Sequence, residues 1–196
     1  MVKTLDIKEE ADLLSEGLFD NDSEKQADFI HSLNEICSLV KDKDILIIHN
    51  PGGWGNTQLD NLLQWERSIV EGVSSTFDSL GYKWGLMQYF RSKHGWLAVI
   101  DDIREQARFF DFKAKLMAAE LDFITRYFPN LQIIMIGVSQ GAAFTNAVTQ
   151  NLNGLNRVFS VELGTPFPYK SKRVISERTL ALDSNGLMPD ALMEWD

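Results

Sequence analysis

Two runs of consecutive aliphatic residues limit the folds that this chain can adopt. Residues 45–48 and 133–136 are apolar at every position, which is the pattern of strands buried on both faces. Such strands occur in parallel sheets covered by helices, because a strand with one wet face alternates apolar and polar residues. The two runs therefore favour an α/β protein over an all-helical or all-β one.

Helical and strand-like segments alternate along the chain after residue 22. A capping-box pattern at residues 23–26 predicts a helix that begins at Ser23 and ends at about Val40. Apolar spacing predicts further helices over residues 62–80 and 141–152. Strands are predicted over residues 44–49, 84–90, 133–136, 157–163 and 178–183. Strands that alternate with helices imply right-handed crossovers. The fold prediction is a three-layer, doubly wound, mostly parallel sheet of about five strands with helices on both faces.

A strict apolar seam runs through residues 97–128. From Ile100 to Phe128 its members recur at alternating spacings of three and four, which is typical of one face of an amphipathic helix. At ~1.5 Å per residue an unbroken helix would be about 48 Å long. Two alternatives follow: the helix breaks near Asp111, or one end projects from the domain. The seam is expected to pack on the sheet, and a homodimer interface is the alternative.

Composition narrows the classes of function. The 196 residues carry a formal net charge of −9, which disfavours a general nucleic-acid binder, because phosphate-binding surfaces need lysine and arginine. A single cysteine excludes an internal disulfide framework. The three histidines leave little material for a histidine-rich metal centre, and no metal or organic cofactor is expected. The chain has no apolar run of the ~20 residues that a membrane helix needs, and its start has no signal-peptide core. We therefore expect no membrane partner and a cytoplasmic location.

The first 22 residues are the most acidic part of the chain. Seven acids stand against two lysines there, which predicts a solvated acidic N-terminal arm over residues 1–22 and a single domain over residues 23–196. The alternative for the arm is a docking tail for a basic partner.

The motif that carries chemistry is Gly137-Val138-Ser139-Gln140-Gly141. It follows a predicted strand and precedes a predicted helix, the setting in which G-x-S-x-G lifts a serine hydroxyl above the sheet on a sharp turn. Glycines flank the turn since side chains there would collide with neighbouring backbone. The N-terminus of the helix directs backbone N–H groups at a developing oxyanion. The alternative is a glycine-rich turn of the kind that precedes helices in nucleotide-binding folds.

With this motif the chain resembles the α/β-hydrolase superfamily, and in particular its small, lidless cutinase-like and esterase-like members. A second element of the resemblance is the sequence HNPGGWG at residues 49–55, which stands where the family has its oxyanion loop. The resemblance implies a serine hydrolase acting on a carboxylic ester or thioester. Ser139 would be the nucleophile, and the N–H groups that hold the oxyanion would come from Gln140, Gly52 and Gly53. Trp54 is expected to line the acyl pocket.

The catalytic triad that the resemblance implies is incomplete. In the family the base is a histidine that follows the serine along the chain, and no histidine follows Ser139 here. His49, which ends the first predicted strand, and His94, which follows the second, are the candidate bases. Asp183 or Glu162 is the candidate acid. A partner subunit that supplies the histidine is a further alternative. A second hypothesis is a catalytically inactive hydrolase-like protein that binds a small-molecule, ester-like ligand or a partner.

Overall fold

A parallel sheet forms the centre of the structure, a computed structural model that describes residues 7–20, 22–91, 108–152 and 154–183. The strands are β1 (Ile45–Asn50), β2 (Trp84–Gln88), β3 (Gln132–Val138), β4 (Val158–Leu163) and β5 (Thr179–Leu182). They lie in the order β2-β1-β3-β4-β5, and every neighbouring pair is parallel. The helices are α1 (Ile7–Phe19), α2 (Ser23–Val40), α3 (Gln64–Ser79), α4 (Asp111–Tyr127), α5 (Gln140–Asn151) and the short α6 (Phe167–Lys170). A 3-10 turn spans Leu59–Asn61.

Helices cover both faces of the sheet, as the sequence predicts. On one face, α1, α2, α4 and α5 form a buried cluster with strand residues such as Leu46 and Met135. On the other face, Val73 of α3 packs against Ile47 and Ile136. Strand β1 is buried at all six positions, because apolar side chains leave it on both sides. The predicted α/β fold class is therefore confirmed.

The described part of the acidic N-terminal segment is a packed helix and not a solvated arm. Helix α1 lies against α2 and buries Ala11, and Leu14 packs against the core. Glu10 accepts a hydrogen bond from Arg126 on α4. Over residues 7–19 the acids share an amphipathic helix with apolar residues that face the core, so this stretch is not a solvated arm. The division of the chain into residues 1–22 and 23–196 stays a prediction.

The start of α2 differs by one residue from its prediction. Asp22 is the N-cap, and its carboxylate accepts from the backbone N–H of Lys25 at 3.2 Å. Ser23 is the first helical residue. Aspartate and serine cap helices about equally well, so the sequence alone does not separate the two positions.

Helix α4 begins at Asp111, so the apolar seam is not one continuous rod. Phe109 and Phe110 have φ angles of 58° and 59°, a left-handed conformation that interrupts an α-helix. Residues 97–107 lie outside the described residues. The seam residues Met117 and Leu121 are each 1% exposed. The break near Asp111 is confirmed, and α4 packs inside its own chain. The homodimer stays a prediction.

Glu120 is a carboxyl group in the core. It lies on α4, is 4% exposed and accepts a hydrogen bond from the Ser32 hydroxyl of α2 at 2.9 Å. Burial raises the pKa of Glu120 to about 7 from its ordinary 4.5. Between these two values the folded chain holds a proton that the unfolded chain releases. The stability contributed by the protonated carboxyl is therefore lost as the pH rises through this window.

Glu120→Gln is expected to raise the free energy of unfolding at pH 8 by up to about 3 kcal/mol and to have little effect at pH 4.5. Glutamine keeps an acceptor for Ser32 and carries no charge to desolvate. Urea unfolding at both pH values measures the difference, with the exposed Glu35→Gln on α2 as control. An equal effect of Glu120→Gln at the two pH values would contradict the assignment.

Within the described ranges, no helix combines the length and the apolar character needed to cross a membrane.

Candidate active site

Ser139 is the single residue between the end of β3 and the start of α5. Its backbone angles, φ 52° and ψ −118°, are rarely adopted by residues other than glycine and cost on the order of 1–3 kcal/mol. Two sets of backbone hydrogen bonds hold the turn. The Ser139 N–H donates to the carbonyl of Leu163 on β4 at 2.8 Å, and the Ser139 carbonyl accepts from the N–H of Ala142 at 2.9 Å. The half-buried serine therefore sits on the sharp turn that the motif predicts.

Steric overlap excludes any residue but glycine at the two glycine positions of the motif. A Cβ atom on Gly137 would lie 2.4 Å from the carbonyl oxygen of Gly141, and one on Gly141 would lie 2.0 Å from the carbonyl oxygen of Asn50. Real Cβ contacts essentially never fall below 3.0 Å. The turn thus brings β3, α5 and the end of β1 too close together for any side chain at either position.

Gln140 is the first residue of α5. Its N–H lies at the positive end of the helix dipole, where negative charge is stabilised. This position suits an oxyanion donor, as the resemblance implies. The donor role of Gln140 itself stays a prediction.

Arg91 fixes the glycine-rich loop that follows β1. Its side chain is buried, and its guanidinium donates to the carbonyls of Pro51 and Gly53, each at 2.8 Å. Its backbone N–H donates to the carbonyl of Gly55 at 2.9 Å. Trp54, the predicted acyl-pocket residue on this loop, is 47% exposed. The role of Arg91 was not predictable from the sequence, because Arg91 and the loop are distant in sequence and meet only in the folded chain.

His49 is fully buried at the end of β1, and both of its ring nitrogens have partners. Nδ1 lies 3.2 Å from Nε2 of Gln88, and Nε2 lies 3.1 Å from Oε1 of Glu66. Oε1 of Gln88 accepts from the Leu59 N–H at 2.7 Å, so the amide nitrogen of Gln88 faces the ring and donates to Nδ1. The proton of a neutral His49 is then on Nε2, and it is donated to Glu66. Among the described residues, no hydrogen bond joins His49 to Ser139. The position of His49 is that of a structural residue.

The backbone N–H of Gly52, an expected oxyanion donor, already has a partner within the protein. It donates to Oε1 of Glu66 at 3.1 Å, the same oxygen that His49 contacts. Glu66 is 5% exposed, so this carboxylate needs buried donors, and the loop supplies one. In this arrangement the Gly52 N–H is not available to a developing oxyanion. Gly53, with φ 54°, is the remaining candidate on the loop.

The two candidate acids share one arginine. Glu162 is fully buried, and its Oε2 accepts from Nε of Arg173 at 2.7 Å. Asp183 accepts from Nη1 of the same guanidinium at 2.7 Å and from the Thr165 N–H at 3.2 Å. Oε1 of Glu162 accepts from the side-chain amide of Asn146 at 2.9 Å. Neither acid contacts a histidine within the described part of the chain. Both instead neutralise Arg173, which the sequence analysis did not single out.

His94, the other candidate base, lies outside the described residues. So does the segment that follows Asp183. In the ranges that are described, no group of three or more histidine, cysteine, aspartate or glutamate side chains is arranged to hold a metal ion.

Comparison with solved structures shows a likeness of fold. The fold resembles that of Trichoderma reesei cutinase, solved in complex with a C11Y4 phosphonate inhibitor, with a TM-score of 0.52 and 18% sequence identity. The match covers 92% of this chain and 75% of the cutinase chain. No model of a protein family matches the chain, and no curated protein matches it. The chain therefore has a fold like that of this cutinase, with a strained serine on the turn between β3 and α5.

Proposed function

We propose that the chain is a serine hydrolase that acts on carboxylic esters or thioesters with Ser139 as the nucleophile. The observation that carries this proposal is the strained backbone of Ser139, φ 52°, held between two glycines that admit no Cβ atom. Strained residues persist where the surrounding structure enforces them, and they cluster at active sites. A serine needed only to connect β3 and α5 would gain nothing from this conformation.

In the proposed reaction, Oγ of Ser139 attacks the acyl carbonyl carbon while a histidine takes the hydroxyl proton. The ester C–O bond or thioester C–S bond then breaks, and the leaving alkoxide or thiolate receives that proton. Water attacks the acyl-serine in the same way and releases the carboxylic acid and the free hydroxyl. The N–H groups of Gln140 and Gly53 are the proposed oxyanion donors.

We assign the base to His94. Both ring nitrogens of His49 are engaged by Glu66 and Gln88, and His31 is an exposed residue of α2 that contacts Glu35 at 3.4 Å. His94 follows β2 by six residues, and in parallel sheets the segments after the carboxyl ends of strands gather at the edge where ligands bind.

Ser139→Ala is expected to lower kcat/KM for a short-chain p-nitrophenyl ester by at least about 100-fold, because the nucleophile is removed. Steady-state hydrolysis at pH 8 measures this loss. The matched control is Ser68→Ala, which removes an exposed hydroxyl of α3 whose described hydrogen bond is to the Gln64 carbonyl. Wild-type protein with no hydrolysis above buffer, or Ser139→Ala with more than half of the wild-type rate, would rule the proposal out.

The same assay tests the base. His94→Gln is expected to match the loss in Ser139→Ala, and the two losses are not expected to add, since both residues serve one proton transfer. His31→Gln is the control for removing an imidazole. An unchanged rate in His94→Gln would leave the nucleophile in place and refute the assignment of the base.

A second candidate function is a non-catalytic binding protein with the same fold. It is favoured by the pairing of both candidate acids with Arg173, at 2.7 Å each. Among the described residues, neither acid contacts a histidine. Such a protein would bind a small-molecule, ester-like ligand without turning it over. The absence of nucleic-acid and membrane partners and the cytoplasmic location stay predictions from the sequence.

A further inference from the structure

The glycine-rich loop after β1 lies directly against the serine turn between β3 and α5. A Cβ atom on Gly52 would lie 3.5 Å from the carbonyl oxygen of Val138. A Cβ atom on Gly141 would lie 2.8 Å from the carbonyl oxygen of Pro51. Val138 and Gly141 are the residues on either side of the turn. The orientation of the loop backbone therefore decides which of its N–H groups lie beside the serine.

The carbonyl oxygens of this loop have hydrogen-bond partners within the protein. Those of Pro51 and Gly53 accept from the guanidinium of Arg91. That of Gly52 accepts from the Gly55 N–H at 3.1 Å, and that of Gly55 accepts from the Arg91 N–H. No described residue accepts from the N–H of Gly53, and a Cβ atom on Gly53 would meet nothing within 4 Å. The loop thus has its acceptors occupied and one donor left, an arrangement that suits an anion.

Two buried, charged side chains hold the peptide unit between Pro51 and Gly52. Its carbonyl accepts from Nη1 of Arg91 at 2.8 Å, and its N–H donates to Oε1 of Glu66 at 3.1 Å. The carbonyl and the N–H of a trans peptide point in opposite directions, so the two side chains act from opposite sides. Hydrogen bonds with a charged partner are roughly twice as strong as neutral ones. The peptide plane cannot rotate without breaking both of them.

This support matters because the loop backbone has little stiffness of its own. Glycines at 52, 53 and 55 have no side chain to restrict their rotation. Oxyanion donors stabilise a transition state best when they are fixed before the reaction begins. Arg91 holds the carbonyl end of the peptide unit, and Glu66 is the described partner of its N–H end. Glu66 is itself fixed, since the same Oε1 lies 3.1 Å from Nε2 of His49.

We propose that Glu66 is a positioning residue of the hydrolase. By holding the N–H of Gly52, it orients the loop so that the N–H of Gly53 is the donor presented to the oxyanion. Glu66 acts through the loop and does not touch the substrate. This role rests on the proposed function of Ser139, and it assigns to α3 a part in the reaction that the serine motif alone does not indicate.

Substitutions at Glu66 test this role through the hydrolysis of a short-chain p-nitrophenyl ester. Glu66→Met fills a similar volume without an acceptor. It is expected to lower kcat at least about 30-fold while KM changes less than about threefold. Glu66→Gln keeps an oxygen for the Gly52 N–H and is expected to retain kcat within about fivefold of wild type. The control is Glu71→Met, at an exposed glutamate of the same helix, which is expected to leave kcat unchanged.

The rate is expressed per serine that a fluorophosphonate labels, so that misfolded protein is not counted. A merely structural role would lower the number of labelled serines and leave kcat per serine intact. A loss of less than about tenfold in Glu66→Met overturns the role of Glu66 and leaves the proposed function standing. So does a Glu66→Gln protein as slow as Glu66→Met. A wild type that hydrolyses no ester overturns the proposed function, and the role of Glu66 falls with it.

Amide hydrogen exchange in the wild type, followed by NMR, tests the same geometry without any substitution. The Gly52 amide, which donates to a carboxylate, is expected to exchange at least about tenfold more slowly than the Gly53 amide. This measurement decides the matter if Glu66→Met does not fold. Equal exchange at the two glycines would overturn the role of Glu66.

Discussion

Gly141→Ala is expected to destabilise the protein by more than about 3 kcal/mol, or to prevent folding. The added Cβ would lie 2.0 Å from the carbonyl oxygen of Asn50 and 2.8 Å from that of Pro51. Both atoms belong to backbone at the end of β1, which is buried and paired on both sides. The chain can relieve the overlap only by moving α5 away from the sheet, which would also dismantle the turn at Ser139.

Gly72→Ala is the matched control for this substitution. Gly72 is an exposed residue in the interior of α3, and a Cβ there meets nothing within 4 Å. Alanine is expected to stabilise that helix by up to about 1 kcal/mol. Urea unfolding of the three proteins measures both effects. A Gly141→Ala protein within 1 kcal/mol of wild type would show that β1 and α5 are not packed as described.

Arg173→Met has the second largest expected effect, a loss of about 3–5 kcal/mol in the free energy of unfolding. Methionine fills much of the same volume, but it leaves Glu162 fully buried with no cation. Oε1 of Glu162 would keep its bond from Asn146, and Oε2 would lose its only described donor. The cost arises from an uncompensated charge in the core.

The double variant Arg173→Met/Glu162→Gln distinguishes the cost of the uncompensated charge from the cost of lost packing. Since it removes the buried carboxylate as well, it is expected to recover more than half of the loss seen in the single variant. The control is Lys115→Met, which breaks an exposed pair with Asp111 at 2.8 Å and is expected to cost less than about 0.5 kcal/mol. A double variant that is no more stable than Arg173→Met would contradict the role given to Arg173.

The fold and the serine turn were predictable because their signals are local. The apolar runs at residues 45–48 and 133–136 contain all the information needed for strands buried on both faces. The turn at Ser139 depends on glycines two residues away on either side. In both cases the residues that determine the conformation are contiguous in the sequence.

The charged network around the site was not predictable, because its members meet only in the folded chain. Glu66 reaches His49 and Gly52 from α3, and nothing in the α3 sequence separates this glutamate from the exposed Glu71. Arg173 lies in an irregular segment and joins two acids from different strand ends. Helix α1 was misjudged for a related reason: its acids dominate the composition, while its few apolar residues decide its packing.

Labelling with a fluorophosphonate tests whether Ser139 is a nucleophile. The protein is exposed to a tenfold excess of reagent at pH 8, and the modified peptide is located by mass spectrometry, with Ser139→Ala and Ser68→Ala treated in parallel. Stoichiometric labelling is expected on Ser139 in the wild type and in Ser68→Ala, and none in Ser139→Ala. An unlabelled wild type, or labelling that persists in Ser139→Ala, would contradict it.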